Sequence, residues 1–301
     1  MIGRRWALAL TAVMSLSACG AGGAVGDRPP TLPELRDQAR TVLARYDKAV
    51  GEVQAARRFV PVGEPTEWTG ELEPANESIK PALTAGHLVP AGPLPVTSRR
   101  TGTITWTDGV SRSVAVIPAE EALAAHRHKG DAGCGGCPPV TVTDARPVTM
   151  QVDTTRGAAT VPAWEYTLKD TALRVRYPAV GGSDVVTVTA PPWDPDASLA
   201  GETIDAATTT ALTSKRLTVS FVGPHDPASE PCGADYHAEA IESSNAVVVL
   251  VVVERRHNDG NETCTMIGFT RTETVSLAQP LGERVVLDAR QGAPVSVRVT
   301  D

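Results

Sequence analysis

The sequence has few aromatic residues and lacks the short motifs of several large enzyme families. Aromatic residues make up 4% of the 301 positions, so Val, Thr and Ala carry most of the hydrophobic pattern. This pattern is typical of sheets packed through small or β-branched side chains. The chain has no G-x-S-x-G, H-E-x-x-H, Walker or G-x-G-x-x-G motif. The composition therefore favours a β-rich protein outside the enzyme families that carry those motifs.

The sequence also lacks a basic cluster and, beyond its N-terminus, a long apolar segment. The formal net charge is −7, and the arginines are scattered or paired with acids. A protein that binds the phosphate backbone needs a basic face, so we predict no nucleic-acid partner. The longest later apolar run, AVVVLVVV at 246–253, is far too short to span a bilayer. It predicts a buried strand instead.

The N-terminus, MIGRRWALALTAVMSLSACG, has the features of an export signal. Arg4 and Arg5 precede an apolar stretch at 6–16, and LSAC at 16–19 matches the lipobox of bacterial lipoproteins. This motif predicts cleavage after a signal peptide at 1–18 and a diacylglyceryl thioether on Cys19. Two acyl chains suffice for stable anchoring, so the lipid would hold the chain on the extracytoplasmic face of the cell membrane. The alternative is an ordinary secretory signal with an incidental cysteine.

The number of cysteines agrees with lipidation. The chain has five cysteines, and lipidation of Cys19 would leave four: Cys134, Cys137, Cys232 and Cys264. Four cysteines can pair in three ways, and disulfides persist outside the cytosol. We expect Cys134 to pair with Cys137 and Cys232 with Cys264. The loop-entropy model assigns about 2 kcal/mol to the short loop and about 4 kcal/mol to the long one.

The stretch HRHKGDAGCGGCPP at 126–139 raises the alternatives of a metal site or a redox centre. Its spacing, H-x-H-x5-C-x2-C, matches no structural zinc pattern that we can name. A thioredoxin-like site needs C-x-x-C at the start of a helix, whereas here two prolines and a Val/Thr strand follow the cysteines. The pattern favours a structural disulfide. It predicts no ligand role for His126 or His128, so that their replacement should leave stability nearly unchanged.

The first part of the exported chain divides into a tether and a helix. Residues 19–31 form a lipidated Gly/Pro-rich tether. The T-x-x-E capping box of Thr31 and Glu34 then begins a predicted amphipathic helix at 32–57. Its apolar stripe is expected to pack on the body of the protein.

Two β-rich domains are expected after this helix, so the predicted fold class is mainly β, of the α+β type. The first, with the C-x-x-C pair, covers 58–200, and the second, at 201–301, is an antiparallel sheet or sandwich. A Thr/Ala-rich, Pro-punctuated stretch at 190–214 is interpreted as their boundary. A short helix is expected at 120–129.

Local patterns predict two hairpins and one aromatic core face. The dipeptides Asp108-Gly109 and Ser244-Asn245 each separate two strand-like segments. The first is typical of a type I′ turn. Trp164, Tyr166 and Leu168 alternate with polar neighbours and are expected in the core.

The loop GPHDPASEPCGADYHAE at 223–239 collects acids and imidazoles around Cys232. His225, Asp226, Asp235 and His237 are weak candidates for cation ligands or, together with Glu230, for acid-base chemistry. The alternative is a solvated acidic loop. The sequence predicts no cofactor.

Five segments together resemble a known group of proteins. They are PCGADYHAEAIES at 231–243, VVVLVVVE at 247–254, LAQPLGERVVLD at 277–288, CGGC at 134–137 and VPAWEYTL at 161–168. The chain resembles actinobacterial, Streptomyces-type lipoproteins with paired cysteines, a group without an established activity. The resemblance implies an envelope location and a β-rich fold. It carries over no catalytic residue.

Two functions follow as hypotheses. The first is a non-enzymatic, membrane-anchored binding or scaffold module of the cell envelope, whose partner is an envelope protein or a small ligand. The second is an envelope hydrolase or metal-binding protein that uses the loop at 225–239. A pocket into which the acids and imidazoles of this loop converge would favour the second hypothesis, and splayed side chains would favour the first.

The lipobox generates a direct test. Cys19→Ala removes the acylated sulfur, so the protein should move from the membrane fraction to the soluble fraction on cell fractionation. Cys264→Ala serves as the control, because it changes a cysteine outside the lipobox and should leave the protein in the membrane fraction. If the Cys19→Ala protein sediments with the membranes as the unaltered protein does, it is not a lipoprotein anchored at Cys19.

Overall fold

The computed structural model describes residues 31–51, 59–71, 79–96, 101–126, 136–181, 184–186, 201–255, 264 and 267–300. The predicted signal peptide, Cys19 and the tether up to residue 30 lie outside the described residues. The fold is a β-rich α+β fold, which confirms the predicted class.

The described chain contains three helices and fifteen strands, numbered here in chain order. The helices are α1 (Leu32–Gly51), α2 (Lys80–Thr84) and α3 (Ala119–Ala125). The first seven strands are β1 (Glu67–Thr69), β2 (Leu88–Pro90), β3 (Thr101–Trp106), β4 (Ser111–Ala115), β5 (Val140–Thr154), β6 (Gly157–Leu168) and β7 (Arg174–Pro178). The remaining strands are β8 (Ile204–Thr209), β9 (Arg216–Gly223), β10 (Ala234–Glu242), β11 (Ala246–Arg255), β12 (Phe269–Ser276), β13 (Val285–Asp288), β14 (Pro294–Val295) and β15 (Val297–Val299).

Helix α1 begins where the capping box predicts. The backbone N–H of Thr31 donates to Glu34 Oε2 at 2.7 Å, and the Thr31 hydroxyl donates to the same oxygen at 2.8 Å. The last described helical residue is Gly51, and the rest of the predicted helix, 52–57, lies outside the described residues. The apolar stripe of α1 is buried against β11, so the helix packs on the body of the protein as expected. Its buried residues are Leu35, Ala39, Val42, Leu43, Tyr46 and Val50.

The C-terminal half is a sandwich of two four-stranded sheets with α1 on its outside. One sheet has the order β10-β11-β13-β14 and the other β12-β9-β8-β15. Strand β11 is buried on both faces: Ala246, Val248 and Leu250 contact the α1 layer, and Val247, Val249 and Val251 face the second sheet. This double burial explains the unbroken apolar run and confirms the predicted buried strand.

The sandwich is mixed, whereas the sequence predicted antiparallel pairing. Strand β13 runs parallel to β11 and β15 runs parallel to β8. The chain leaves β11 for β12 in the opposite sheet before it returns as β13, and such a crossover permits parallel pairing.

Two predicted segments of this half differ from the structure. Strand β8 lies inside the stretch at 190–214 that was interpreted as a boundary, and residues 190–200 of that stretch lie outside the described residues. The final segment, PVSVRVT at 294–300, has the alternation of a single strand but divides at Ser296 into β14 and β15, which join different sheets. The presence of β8 and the division at Ser296 both depend on pairing with strands that are distant in the sequence. Short sequence patterns do not reveal such pairing.

The N-terminal sheet has seven strands arranged around β6. One edge of β6 pairs with β5, which also pairs with β2, and the other edge pairs with β3 and β7 in turn. Helices α2 and α3 cover one face of β6, where Trp164, Tyr166 and Leu168 are buried as predicted. The short helix expected at 120–129 is α3, and residues 127–129 lie outside the described residues.

The first hairpin has a different turn from the one predicted. Gly109 has a positive φ of 84°, but Asp108 does not, so the type I′ turn is wrong. Instead, Gly109 N–H donates to the Trp106 carbonyl and Trp106 N–H donates to the Val110 carbonyl. This is a three-residue loop closed by a left-handed glycine. The second hairpin does turn at Ser244-Asn245, with Glu242 paired to Val247.

A row of alternating charges crosses four strands on the face of the sheet opposite α2 and α3. Glu67, Arg176, Glu165 and Arg146 are neighbours in register on β1, β7, β6 and β5. Arg146 Nε and Arg176 Nε donate to the two carboxylate oxygens of Glu165 at 2.7 and 2.8 Å, and Arg176 Nη1 donates to Glu67 at 2.9 Å. Burial of Glu165 tends to raise the pKa of its carboxyl, but the two guanidinium groups outweigh burial and lower it.

This row predicts a pH-dependent loss of stability in Glu165→Gln. Because Glu165 is only 4% exposed, the variant should lose about 1–3 kcal/mol of unfolding free energy at neutral pH. The folded pKa lies below the ordinary value of 4.5, so the contribution is complete above pH 4.5 and disappears as the pH falls through the folded value. Urea unfolding at several pH values measures the difference. Glu254→Gln, at the exposed end of β11, is the control, and a difference that is the same in acid and at neutral pH would contradict the ion-pair explanation.

Candidate functional site

The structure contains a cavity of about 640 Å³ beside the N-terminal sheet. It lies on the face that carries α2 and α3, and β1, β7 and the segment at 59–66 complete its walls. Its lining residues are Phe59, Pro61, Gly63, Glu64, Pro65, Thr66, Trp68, Leu83, Thr84, Gly86, Ile117, Glu121, Ala125, His126, Tyr177, Pro178, Val180 and Val185. A volume of this size is typical of small-molecule sites.

Four aromatic rings of the described residues line the cavity: Phe59 and three that strand pairing and the end of α3 position. Trp68 on β1 pairs with Val175, and Tyr177 on β7 pairs with Trp164, which places both rings on the helix-covered face of the sheet. His126 follows α3 and stacks on Tyr177 with a centroid distance of 4.4 Å and an interplanar angle of 13°. Tyr177 is buried, whereas Trp68 is 37% exposed and can contact a ligand.

The charged residues of the cavity lining are acidic. Glu64 and Glu121 line it, and none of the described lining residues is Lys or Arg. Burial raises the pKa of the Tyr177 hydroxyl to about 12, and the negative charge of Glu64 contributes to the same shift. The Tyr177 phenol is therefore neutral at physiological pH.

The position of His126 also involves α3. Its Nδ1 lies 2.9 Å from the carbonyl oxygen of Ala122, one helical turn earlier. The hydrogen bond and the stacking on Tyr177 hold the imidazole between the helix end and the sheet. The sequence predicted that replacement of His126 would leave stability nearly unchanged, whereas its stacking on Tyr177 leads us to expect a loss. The second histidine, His128, lies outside the described residues.

The loop at 225–239 does not collect its candidate ligands in one place. His225 Nδ1 lies 3.1 Å from Asp226 Oδ1, and both side chains are well exposed. Asp235 Oδ1 accepts a hydrogen bond from the backbone of Ala228, and His237 lies on β10. Among the residues that the structure describes, no group of three or more His, Cys, Asp or Glu side chains is placed to hold a metal ion.

The disulfide between Cys232 and Cys264 is present, as the cysteine spacing predicted. Cys232 lies just before β10, separated from it by Gly233, and Cys264 precedes β12 by a few residues, so the bond links the edge strands of the two sheets of the sandwich. Cys137 is also disulfide-bonded. Its predicted partner, Cys134, lies outside the described residues, so this pairing stays a prediction.

The aromatic and acidic residues of the cavity were not singled out by the sequence. Glu64, Trp68, Glu121 and Tyr177 come from four separate segments with no motif among them. The one available signal was Trp68, a large aromatic residue in a chain with few aromatics, in a Pro-rich region without strand periodicity.

Comparison of the chain with protein-family models, curated proteins and solved structures gives no match. Among the described residues, no helix combines the length and the apolar character needed to cross a membrane.

The stacking of His126 predicts a measurable role in stability. His126→Ala removes the ring on Tyr177 and should lower the free energy of unfolding by about 1 kcal/mol. His126→Phe keeps a stacked ring and should recover most of this loss, while His87→Ala, at an exposed histidine, serves as the control. Thermal unfolding of the three variants measures the effect. Equal losses in His126→Ala and His126→Phe would show that stacking contributes nothing.

Proposed function

We propose that this protein is a membrane-anchored cell-envelope lipoprotein that acts as a non-enzymatic binding module for a small ligand. The observation that carries the proposal is the cavity at Trp68 and Tyr177. It combines a size suited to a small molecule, a partly exposed indole and an otherwise largely apolar lining. The lipobox at 16–19 and the resemblance to actinobacterial lipoproteins support the envelope location.

The lining residues favour binding over catalysis. Catalysis by acid-base or nucleophilic groups needs a base within hydrogen-bond reach of its proton donor. Here His126 Nδ1 lies against a backbone carbonyl, and burial keeps Tyr177 protonated. The pKa of Tyr177 is therefore too high for general acid-base work at neutral pH, and the Nδ1 atom of His126 is engaged by the Ala122 carbonyl.

The alternative of an envelope hydrolase or metal-binding protein has less support. It depends on the loop at 225–239, where His225 and Asp226 are exposed, Asp235 bonds to the backbone and His237 lies on a strand. These side chains point to separate surroundings, and the residues that line the cavity come from other parts of the chain. The arrangement is the splayed one that favours a binding module.

Filling the cavity tests the proposed function. Thr84 is an exposed residue of α2 at the cavity wall, so Thr84→Trp should occupy the space that a ligand needs. Saturation-transfer NMR with a panel of soluble one-ring and two-ring aromatic compounds should show binding to the purified protein. This binding should be lost in Thr84→Trp, with protein-free buffer as the blank.

Two further variants make the result specific. Thr272→Trp places the same substitution on an exposed position of β12, in the other half of the protein, and should keep binding. Ala125→Trp fills the cavity from α3 and should reproduce the loss if Thr84→Trp is poorly folded. The absence of binding across the whole panel, or equal binding to Thr84→Trp and Thr272→Trp, would refute a binding function for this cavity.

A further inference from the structure

We infer that one end of the C-terminal sandwich rests on the lipid bilayer through an apolar patch formed by Val222, Ile267 and Phe269. The inference rests on the anchoring at Cys19 that the proposed function includes. The three side chains of the patch are 52%, 65% and 44% exposed. Exposed apolar side chains that cluster, and do not occur singly, mark surfaces that contact a membrane or another protein.

The three residues of the patch meet around one glycine. Ile267 and Phe269 flank Gly268, and a Cβ atom added to Gly268 would lie only 2.2 Å from Val222 Cγ1. Strand β12 begins at Phe269, whose partner on β9 is Gly223, the last residue of that strand. The patch therefore lies where β9 ends and β12 begins.

The other sheet of the sandwich reaches the same end of the molecule. Ala234, at the start of β10, pairs with Arg255 at the end of β11. The disulfide between Cys232 and Cys264 joins the segments that lead into β10 and β12. The start of β10 and the end of β11 thus lie at the end of the sandwich that carries the patch.

Helix α1 runs antiparallel to β11, so its first turn points toward this same end. Near the C-terminal end of the helix, Asp47 accepts a hydrogen bond from Asn245, which directly precedes β11. Nearer its N-terminal end, Gln38 donates to the carbonyl of Ala289, whose N–H donates to the Val249 carbonyl further along β11. The chain that precedes α1 therefore joins it on the side of the patch.

The length of this preceding chain keeps the patch close to a membrane anchor at Cys19. Residues 20–30 separate Cys19 from Thr31. A chain spans at most about 3.6 Å per residue, so Cys19 and Thr31 cannot lie more than about 40 Å apart. Two acyl chains on Cys19 would hold that residue at the bilayer. The bilayer is therefore the occupant that we assign to the patch.

The opposite end of the sandwich faces the N-terminal sheet. Trp106 and Thr154 of that sheet line a second pocket together with Ser244, which lies in the turn between β10 and β11. Contact between the patch and the bilayer would thus place the N-terminal sheet and its cavity on the side of the sandwich away from the membrane.

Charged side chains of both signs border the patch. The His225 ring lies edge-on to Phe269 at 5.1 Å, Arg271 Nη1 donates to the His225 carbonyl, and Asp226 contacts His225. Such groups can stay in the headgroup layer while apolar side chains enter the boundary of the acyl chains. Because the contact depends on apolar area, uncharged lipids should support it.

Quenching of fluorescence by brominated lipids tests the inference. The acylated protein is reconstituted in phosphatidylcholine vesicles, with or without bromine on the acyl chains near the headgroups. Phe269→Trp places an indole in the patch, and its added fluorescence over the unaltered protein should fall about twofold or more in the brominated vesicles. Val299→Trp is the control, because Val299 is exposed and pairs with Thr209 at the end of β8 remote from the patch.

Further variants assign the contact to the patch. Ile267→Asp, added to Phe269→Trp, places a charge in the patch and should abolish the quenching. Thr272→Asp, added in the same way, changes an exposed position of β12 outside the patch and should leave the quenching unchanged. If Phe269→Trp is poorly folded, Val222→Trp provides a second indole in the same patch.

The outcomes separate this inference from the proposed function. If the acylated protein stays on the vesicles but Phe269→Trp is quenched no more than Val299→Trp, the anchoring stands and the inference is wrong. If the Cys19→Ala protein forms dimers that Ile267→Asp dissociates, the patch binds a second copy and the inference is again wrong. If the protein carries no acyl chains at Cys19, the proposed anchoring fails and the inference fails with it.

Discussion

The burial of β11 on both faces is the constraint on which the C-terminal half depends. A strand of this kind needs an apolar layer above and below it, and here α1 provides one and the sheet of β12, β9, β8 and β15 the other. Each fully buried valine or leucine contributes about 1.5–3 kcal/mol. The N-terminal helix is therefore part of the C-terminal core, although more than a hundred residues separate the two in sequence.

Polar contacts position the layers that this burial brings together. Arg36 on α1 donates two hydrogen bonds of 2.8 Å to Glu239 on β10. The carboxylate of Asp288, at the end of β13, accepts from the backbone N–H groups of Ile204 and Gln291 at 2.7 Å each. Burial raises the pKa of Asp288 despite these bonds. Such groups tie β8 to β13 at a fixed position, and apolar packing alone would not specify that position.

The two faces of the N-terminal sheet have different roles. On one face, the charged row from Glu67 to Arg146 crosses the strands and pairs its members with one another. On the other, α2 and α3 cover the aromatic residues of β6 but leave room beside β1 and β7, where the cavity forms. The cavity thus depends on two short helices that end before they cover the whole sheet. The chemical character of the cavity is set by the side chains beside β1 and β7, where these helices leave the sheet uncovered.

The sequence by itself determined the features that depend on local chemistry. The capping box begins α1, the apolar run of β11 is buried, and the alternating residues Trp164, Tyr166 and Leu168 lie in the core on β6. The cysteine number allowed three pairings, and the expected bond between Cys232 and Cys264 is present. Apart from the number of cysteines, each of these signals lies within a short stretch of sequence. The physical preference behind it acts between residues that are close in the sequence.

Only the tertiary structure decided what depends on contacts between distant segments. Parallel pairing of β11 with β13, the presence of β8 and the division of the last strand at Ser296 follow from the crossing of the chain between two sheets. The turn at Asp108-Gly109 has three residues because strand pairing, and not the dipeptide, fixes its length. The cavity is the clearest example of a feature that distant contacts create. No common motif links four of its lining residues, Glu64, Trp68, Glu121 and Tyr177. They meet because β1 pairs with β7 and α3 packs above these strands. Long-range packing creates such a site, and a local pattern cannot encode it.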